Sequence, residues 1–202
     1  QCEKRFEDIV LAFKKDREHF CGSFVYAPLP TRKHIDRYII IDGQQRFTTL
    51  YILIKALADS ATDESDKAEL EKYLYNEDKF NRYGLDDKSK LKLKPVKTDN
   101  DQLQLLMAGK LDKMNKGKDG IIYHNYMLFR ELIATFLAED PDNSIMMIHD
   151  GMDSLICADI KLDQDDDAQE IFERINSTGI KLGLPDLIRN YVLMTDDDQE
   201  RL

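Results

Sequence analysis

Five consecutive residues, Asp42-Gly43-Gln44-Gln45-Arg46, hold this chain's densest set of groups that could bind and work on an anion. Arg46 offers a planar fork of donors matched to phosphate. Gln44 and Gln45 offer amides that could fix a ligand or an attacking water. Asp42 offers a carboxylate that could hold Mg²⁺ or orient that water. Gly43 allows a sharp turn and a close approach of backbone to ligand. The set needs a helix N-terminus, where free N–H groups and the positive end of the macrodipole favour an anion. The flanking residues point to one. Tyr38-Ile39-Ile40-Ile41 is a continuous run suited to a strand buried on both faces. Phe47, Leu50, Tyr51, Ile54, Leu57 and Ala58 then share one helical stripe, so a helix begins just after Gly43 and carries Thr48 in its first turns. A bland account has about equal standing: Asp42 as N-cap, Gly43 as turn residue, Arg46 as an ion-pair donor. The Gln-Gln-Arg run tilts the balance, because neither capping nor helix propensity selects it.

A second constellation runs from Ile171 to Gly179. It sets Asn176, Ser177 and Thr178 on a glycine-ended turn between two helical stripes, either as a C-cap or as polar fingers lining a pocket. Further on, Pro185 and Asp186 suit a helix entry, with Arg189 and Asn190 one turn later. A helical ion pair is the plain account of these. Other chemistry is excluded. No G-x-x-x-x-G-K loop occurs, Asp163 to Asp167 lacks the glycine and glutamate of an EF-hand, and His124-Asn125 sits inside an amphipathic stripe.

The 202-residue, 23.5 kDa chain has 42% hydrophobic residues, enough for a real core, and a net charge of −10. That charge excludes a uniformly basic nucleic-acid coat. Residues 79–118 nevertheless hold 11 Lys/Arg against 5 Asp/Glu, a stretch that is either a solvated face or a phosphate contact. Cys2, Cys21 and Cys157 are scattered, so neither a disulfide framework nor a zinc site is indicated, and a reducing cytoplasm fits best. The most apolar stretch, Leu50 to Leu57, is too short for a bilayer. The opening at Gln1, with a helical pattern almost at once, reads as a fragment of something longer.

Patterning supplies the remaining elements. Phe6, Ile9, Val10 and Phe13 predict a first helix; Gly22 to Tyr26 predicts a strand ended by Pro28 and Pro30, pairing with the strand at Tyr38 as a hairpin. Leu70, Tyr73 and Leu74 mark a helix, and Leu91 and Leu93 among lysines an edge strand. Residues 109–120 read as a mobile loop. Ile122, Tyr126, Phe129, Ile133, Phe136 and Leu137 form a long amphipathic helix stopped near Pro141. Ile156, Ala158, Ile160 and Leu162 alternate as a half-buried strand, and two helices follow. The class is α+β, with few strands and many helices.

The segment from Ile41 to Leu50, together with Phe172 to Gly179 and Asp186-Leu187-Ile188-Arg189-Asn190-Tyr191, resembles the N-terminal domain of GmrSD-type, modification-dependent restriction endonucleases. The likeness runs from the first helix to about Met194. It implies a single ParB/sulfiredoxin-like domain over 1–202, with a sheet core at about 1–60 and 152–194 and a mostly helical insertion at about 61–151. It also implies binding and hydrolysis of a nucleoside triphosphate, with Mg²⁺ or another divalent cation. Hydrolysis would regulate cutting of modified phage DNA by an H-N-H nuclease domain in the same or a partner chain. By position, Asp42, Gly43, Gln44, Gln45 and Arg46 would be the nucleotide and catalytic motif, with Asp42 the metal ligand. We place Thr48, Asn176, Ser177, Thr178, Arg189 and Asn190 at the same pocket. The family's Ile-Pro-x-Tyr-Gln-Arg strand and the H-N-H domain lie outside this sequence, so the chain alone is not expected to cut DNA. Contact with DNA through the full-length protein and a homodimer are both compatible with this reading; a membrane partner is not expected. A non-hydrolytic DNA-binding or nucleotide-sensing module is the alternative.

Overall fold

A computed structural model describes residues 1–32, 35–76, 90–95, 97–163 and 166. Among these, six α-helices and three strands form an α+β protein with two compact units. The first unit comprises Gln1–Cys21 and Gln45–Cys157; the second comprises Gly22–Gln44 and Ala158–Leu202.

The first unit is helical. Helix α1 (Cys2–Lys15) buries Phe6, Ile9 and Ala12, and ends at Asp16, whose left-handed backbone returns its N–H to the Ala12 and Phe13 carbonyls. Helix α2 (Gln44–Ser60) is enclosed more widely than its expected stripe. Ile52, Leu53 and Ala56 join Tyr51, Leu57 and Ala58 in the core, whereas Phe47 is 40% exposed. Helix α3 (Glu64–Leu74) starts on the Asp63 carboxylate, which accepts from the Ser65 and Asp66 N–H groups, and buries Leu70 and Leu74. Helices α4 (Lys97–Met107), α5 (Ile121–Glu139) and α6 (Ile145–Asp153) complete the set. The α5 stripe is buried as the spacing predicts, at Ile122, Tyr126, Phe129, Ile133 and Phe136. Neither α4 nor α6 was legible. Each buries one close apolar pair, Leu103 with Leu106 and Ile145 with Ile148, too short a signal within polar stretches. Helix α1 packs mainly on α6 and next on α5.

One expectation within this unit is corrected: Leu91 forms an isolated antiparallel bridge with Tyr75, not an edge strand. Residues 109–120, expected as a loop, carry defined local turns. A 3₁₀ turn (Leu111–Lys113) leads to buried Met114, and the Gln102 amide oxygen accepts from Asn115 N–H at 2.8 Å. The Gly117 carbonyl lies 2.9 Å from His124 Nε2. A Cβ at Gly120 would stand 1.9 Å from the Asn115 carbonyl oxygen, so the backbone closes where only glycine fits.

One buried hydroxyl ties α2 to the end of α3: Tyr51 donates to the Leu74 carbonyl. Burial pushes its ionisation well above the ordinary tyrosine value. The unfolded chain ionises Tyr51 near pH ~10, while the folded chain holds the proton beyond that. This contribution is therefore complete below about pH 10 and falls as pH rises above it. Tyr51→Phe should cost about 1 kcal/mol at neutral pH and flatten the alkaline loss. Urea midpoints at pH 8 and about 10.5 check both effects. Tyr75 and Tyr126, also raised by burial, keep part of the slope.

Strands β1 (His19–Arg32), β2 (Ile35–Asp42) and β3 (Leu155–Lys161) form a sheet in the order β2-β1-β3. The expected hairpin is present: β1 and β2 run antiparallel, with Tyr26 opposite Ile40 and Pro28 opposite Tyr38. Strand β1 does not end at its prolines. The Tyr26 carbonyl accepts from Leu162 N–H, so Tyr26, Pro28 and Pro30, at alternate positions, turn their backbone polar groups towards the β3 side. The prolines lie beyond that last described ladder bond, where a missing N–H costs nothing. Strand β2 is not buried on both faces. Ile41 is buried but Tyr38 is 51% exposed, because β2 lies at the edge among the described strands. On β3 the expected inward alternation is weak: Ile156 is 40% exposed, and only the flanking Leu162 is fully buried.

Candidate functional site

The motif residues occupy the end of β2, a one-residue turn and the start of α2. Asp42 is the last residue of β2 and pairs with Val25, beside a register shift between Val25 and Tyr26. It is half-buried. Gly43 is buried with φ 94°, a conformation that favours glycine and lets the strand pass into the helix without a connecting loop. Helix α2 begins at Gln44. Its first turn contains no acidic residue, so the N–H groups and macrodipole there have no carboxylate of that turn to offset them.

The side chains divide their tasks. Gln44 is exposed, but its Nε2 donates to the Ile40 carbonyl at 2.6 Å, latching the helix start onto the strand. This bond was not readable from the sequence. Gln45 is exposed, and its carbonyl accepts from the Thr49 hydroxyl at 2.7 Å. Arg46 and Thr48 are half-buried. Burial foremost, and the Cys157 thiol next, push the Cys21 thiol up, while the Arg5 and then the Arg46 guanidinium favour its ionised form. The unit boundary falls between Gln44 and Gln45. Asp42, Gly43 and Gln44 thus belong to one unit, and Gln45, Arg46 and Thr48 to the other. Asn176, Ser177, Thr178, Arg189 and Asn190 lie outside the described residues.

Sequence patterning missed one cluster of ligand-type groups. On α6, His149, Asp150 and Asp153 bring a ring nitrogen and two carboxylate oxygens within 4.8 Å of one another. The imidazole is buried against the Tyr73 ring, with Nδ1 3.5 Å from Asp150 and 3.9 Å from Asp153. Both carboxylates are exposed. Of the basic stretch, Lys116 stands 5.5 Å over the Tyr123 ring and Lys92 donates to the Lys72 carbonyl. Both are local contacts. No helix among the described residues is long and apolar enough to cross a membrane.

These features define an α+β protein whose distinctive local structure is a strand–glycine–helix turn with a guanidinium in the first helical turn. Residues 1–193 match the family model of the GmrSD restriction endonuclease, N-terminal domain, and the chain belongs to that family. Comparison with curated proteins gives no match.

Proposed function

We propose that this chain is a nucleoside triphosphate-binding and hydrolysing domain that regulates a modification-dependent restriction endonuclease acting against phage DNA. The observation that carries the reading is Gly43, whose φ of 94° sets the start of α2 directly at the end of β2. Backbone N–H groups of the first turn receive phosphate oxygens, and Arg46 adds a charged fork to them. Exposed Gln45 has the reach to orient an attacking water, while Gln44, held to Ile40, braces the turn. Thr48, Asn176, Ser177, Thr178, Arg189 and Asn190 complete the pocket in this reading.

Asp42 is a single half-buried carboxylate at the strand end. One carboxylate plus substrate phosphates is a donor set that suits Mg²⁺ entering with the nucleotide. Bound there, the cation would neutralise charge on the phosphate oxygens. Asp42 would hold it against the turn. Contact with modified DNA and with an H-N-H nuclease domain belongs to the full-length protein, in the cytoplasm.

The test is calorimetric titration with UTP, GTP and ATP in Mg²⁺, for the natural sequence and for Arg46→Ala. Loss of a charge-assisted hydrogen bond predicts roughly 10- to 100-fold weaker binding in the variant. EDTA should weaken binding by the natural sequence as well. Equal affinity in both proteins would remove the triphosphate from this turn. Salt-sensitive binding to duplex DNA without any nucleotide affinity would instead favour a DNA-binding module.

A further inference from the structure

The ladder between β1 and β3 sets which residues stand side by side. His19 N–H donates to the Ser154 carbonyl at 2.9 Å, and Leu162 N–H to the Tyr26 carbonyl at 2.8 Å. Both strands therefore advance together, as in a parallel pair. The first bond places His19 beside Leu155, and the same offset places Cys21 beside Cys157. The second bond has an offset shorter by one, so β1 accommodates one extra residue between them. Gly22, at φ 108°, is the β1 residue whose backbone suits such a bulge. Cys21 precedes it and keeps the first offset. Burial foremost, and then the Cys157 thiol, push the Cys21 thiol up, in keeping with this pairing. Both thiols are free, Cys21 half-buried and Cys157 exposed.

We propose that Cys21 and Cys157 are a cross-strand dithiol that closes to a disulfide by exchange with a low-molecular-weight disulfide. Neighbouring strands lie about 4.8 Å apart, inside the Cα separation that a disulfide spans. The exposed Cys157 thiolate attacks one sulfur of the small disulfide, forming a mixed disulfide and releasing one small thiolate. The Cys21 thiolate then attacks Cys157 Sγ, forming the intrachain S–S bond and releasing the second small thiolate. The two protons lost by the cysteines end on the two small thiols. The protein gives up two electrons, and the small disulfide takes them. Burial, with Cys157 beside it, raises Cys21 and so slows the second step at neutral pH relative to alkaline pH. Arg46 acts on the same thiol, so closure removes an ionisable group near the start of α2. The proposal stands independently of nucleotide binding.

The experiment incubates the whole chain with oxidised glutathione at mildly alkaline pH, then titrates thiols in denaturant and records intact mass without reductant. The expected result is loss of two of the three thiols, a mass lower by two hydrogens, and a monomer on a non-reducing gel. Cys2→Ser should lose both of its remaining thiols. Cys21→Ser should stop at a glutathione adduct on Cys157. Persistence of all three thiols, a bridge that includes Cys2, or a bridge found only between chains would overturn the proposal.

Discussion

Phe129→Ala is expected to lower the unfolding free energy by about 3–5 kcal/mol, read as a fall in the urea midpoint at unchanged m-value. Phe129 is fully buried at the middle of α5, and it is the largest wholly enclosed side chain among the described residues. Ile122, Tyr126, Ile133 and Phe136 on the same face are buried with it, in one cluster with Ile9, Leu53 and Leu106. Truncation removes the transfer energy of a ring and leaves a space that this ring of fixed neighbours closes only in part. Domains of this kind hold roughly 5–15 kcal/mol in total, so the variant should stand near the edge of folding. Phe47→Ala is the contrast. At 40% exposed, Phe47 leaves no comparable cavity, and its loss should fall within about 1 kcal/mol.

Gly151→Ala should destabilise by about 1–3 kcal/mol, against the sign that helix propensity alone gives. In an ordinary helix interior, alanine improves on glycine by about 1 kcal/mol. Here a Cβ would stand 2.4 Å from the Ile9 carbonyl oxygen and 3.1 Å from Ile9 Cγ2. The nearer atom is backbone of a packed helix, so relief needs α1 and α6 to move apart, and neither can do so by turning a side chain. Thermal melts read the sign directly. A higher melting temperature in Gly151→Ala would show that α1 does not approach α6 this closely.

Long stripes were legible in the sequence. The α5 face from Ile122 to Phe136 is buried as its spacing predicts, because five apolar residues over four turns define one direction. Short elements were not. Helix α6 announces itself by Ser144, whose hydroxyl accepts from Met147 N–H, and by the pair Ile145 and Ile148. Such a signal also fits a loop. Pro28 and Pro30 misled because a proline's penalty depends on which neighbouring strand its missing N–H would face, a tertiary fact. Gly120 reads as a loop breaker, yet its role is to let the chain press against Asn115.

The candidate site divides in the same way. The turn at Gly43 and the helix start at Gln44 follow from residue order, whereas the Gln44 bond to Ile40 depends on how the strand end and helix start are oriented.

Contact between Ile9 and Gly151 also bears on how the protein is made. During synthesis the apolar face of α1 emerges before its main packing partner, which follows roughly 140 residues later, a wait on the order of 7–30 s at typical elongation speeds. Throughout that interval Phe6, Ile9 and Ala12 have no α6 to cover them. The α1 face is thus made well before the surface that covers it, so the Ile9–Gly151 contact closes late and across a long sequence separation.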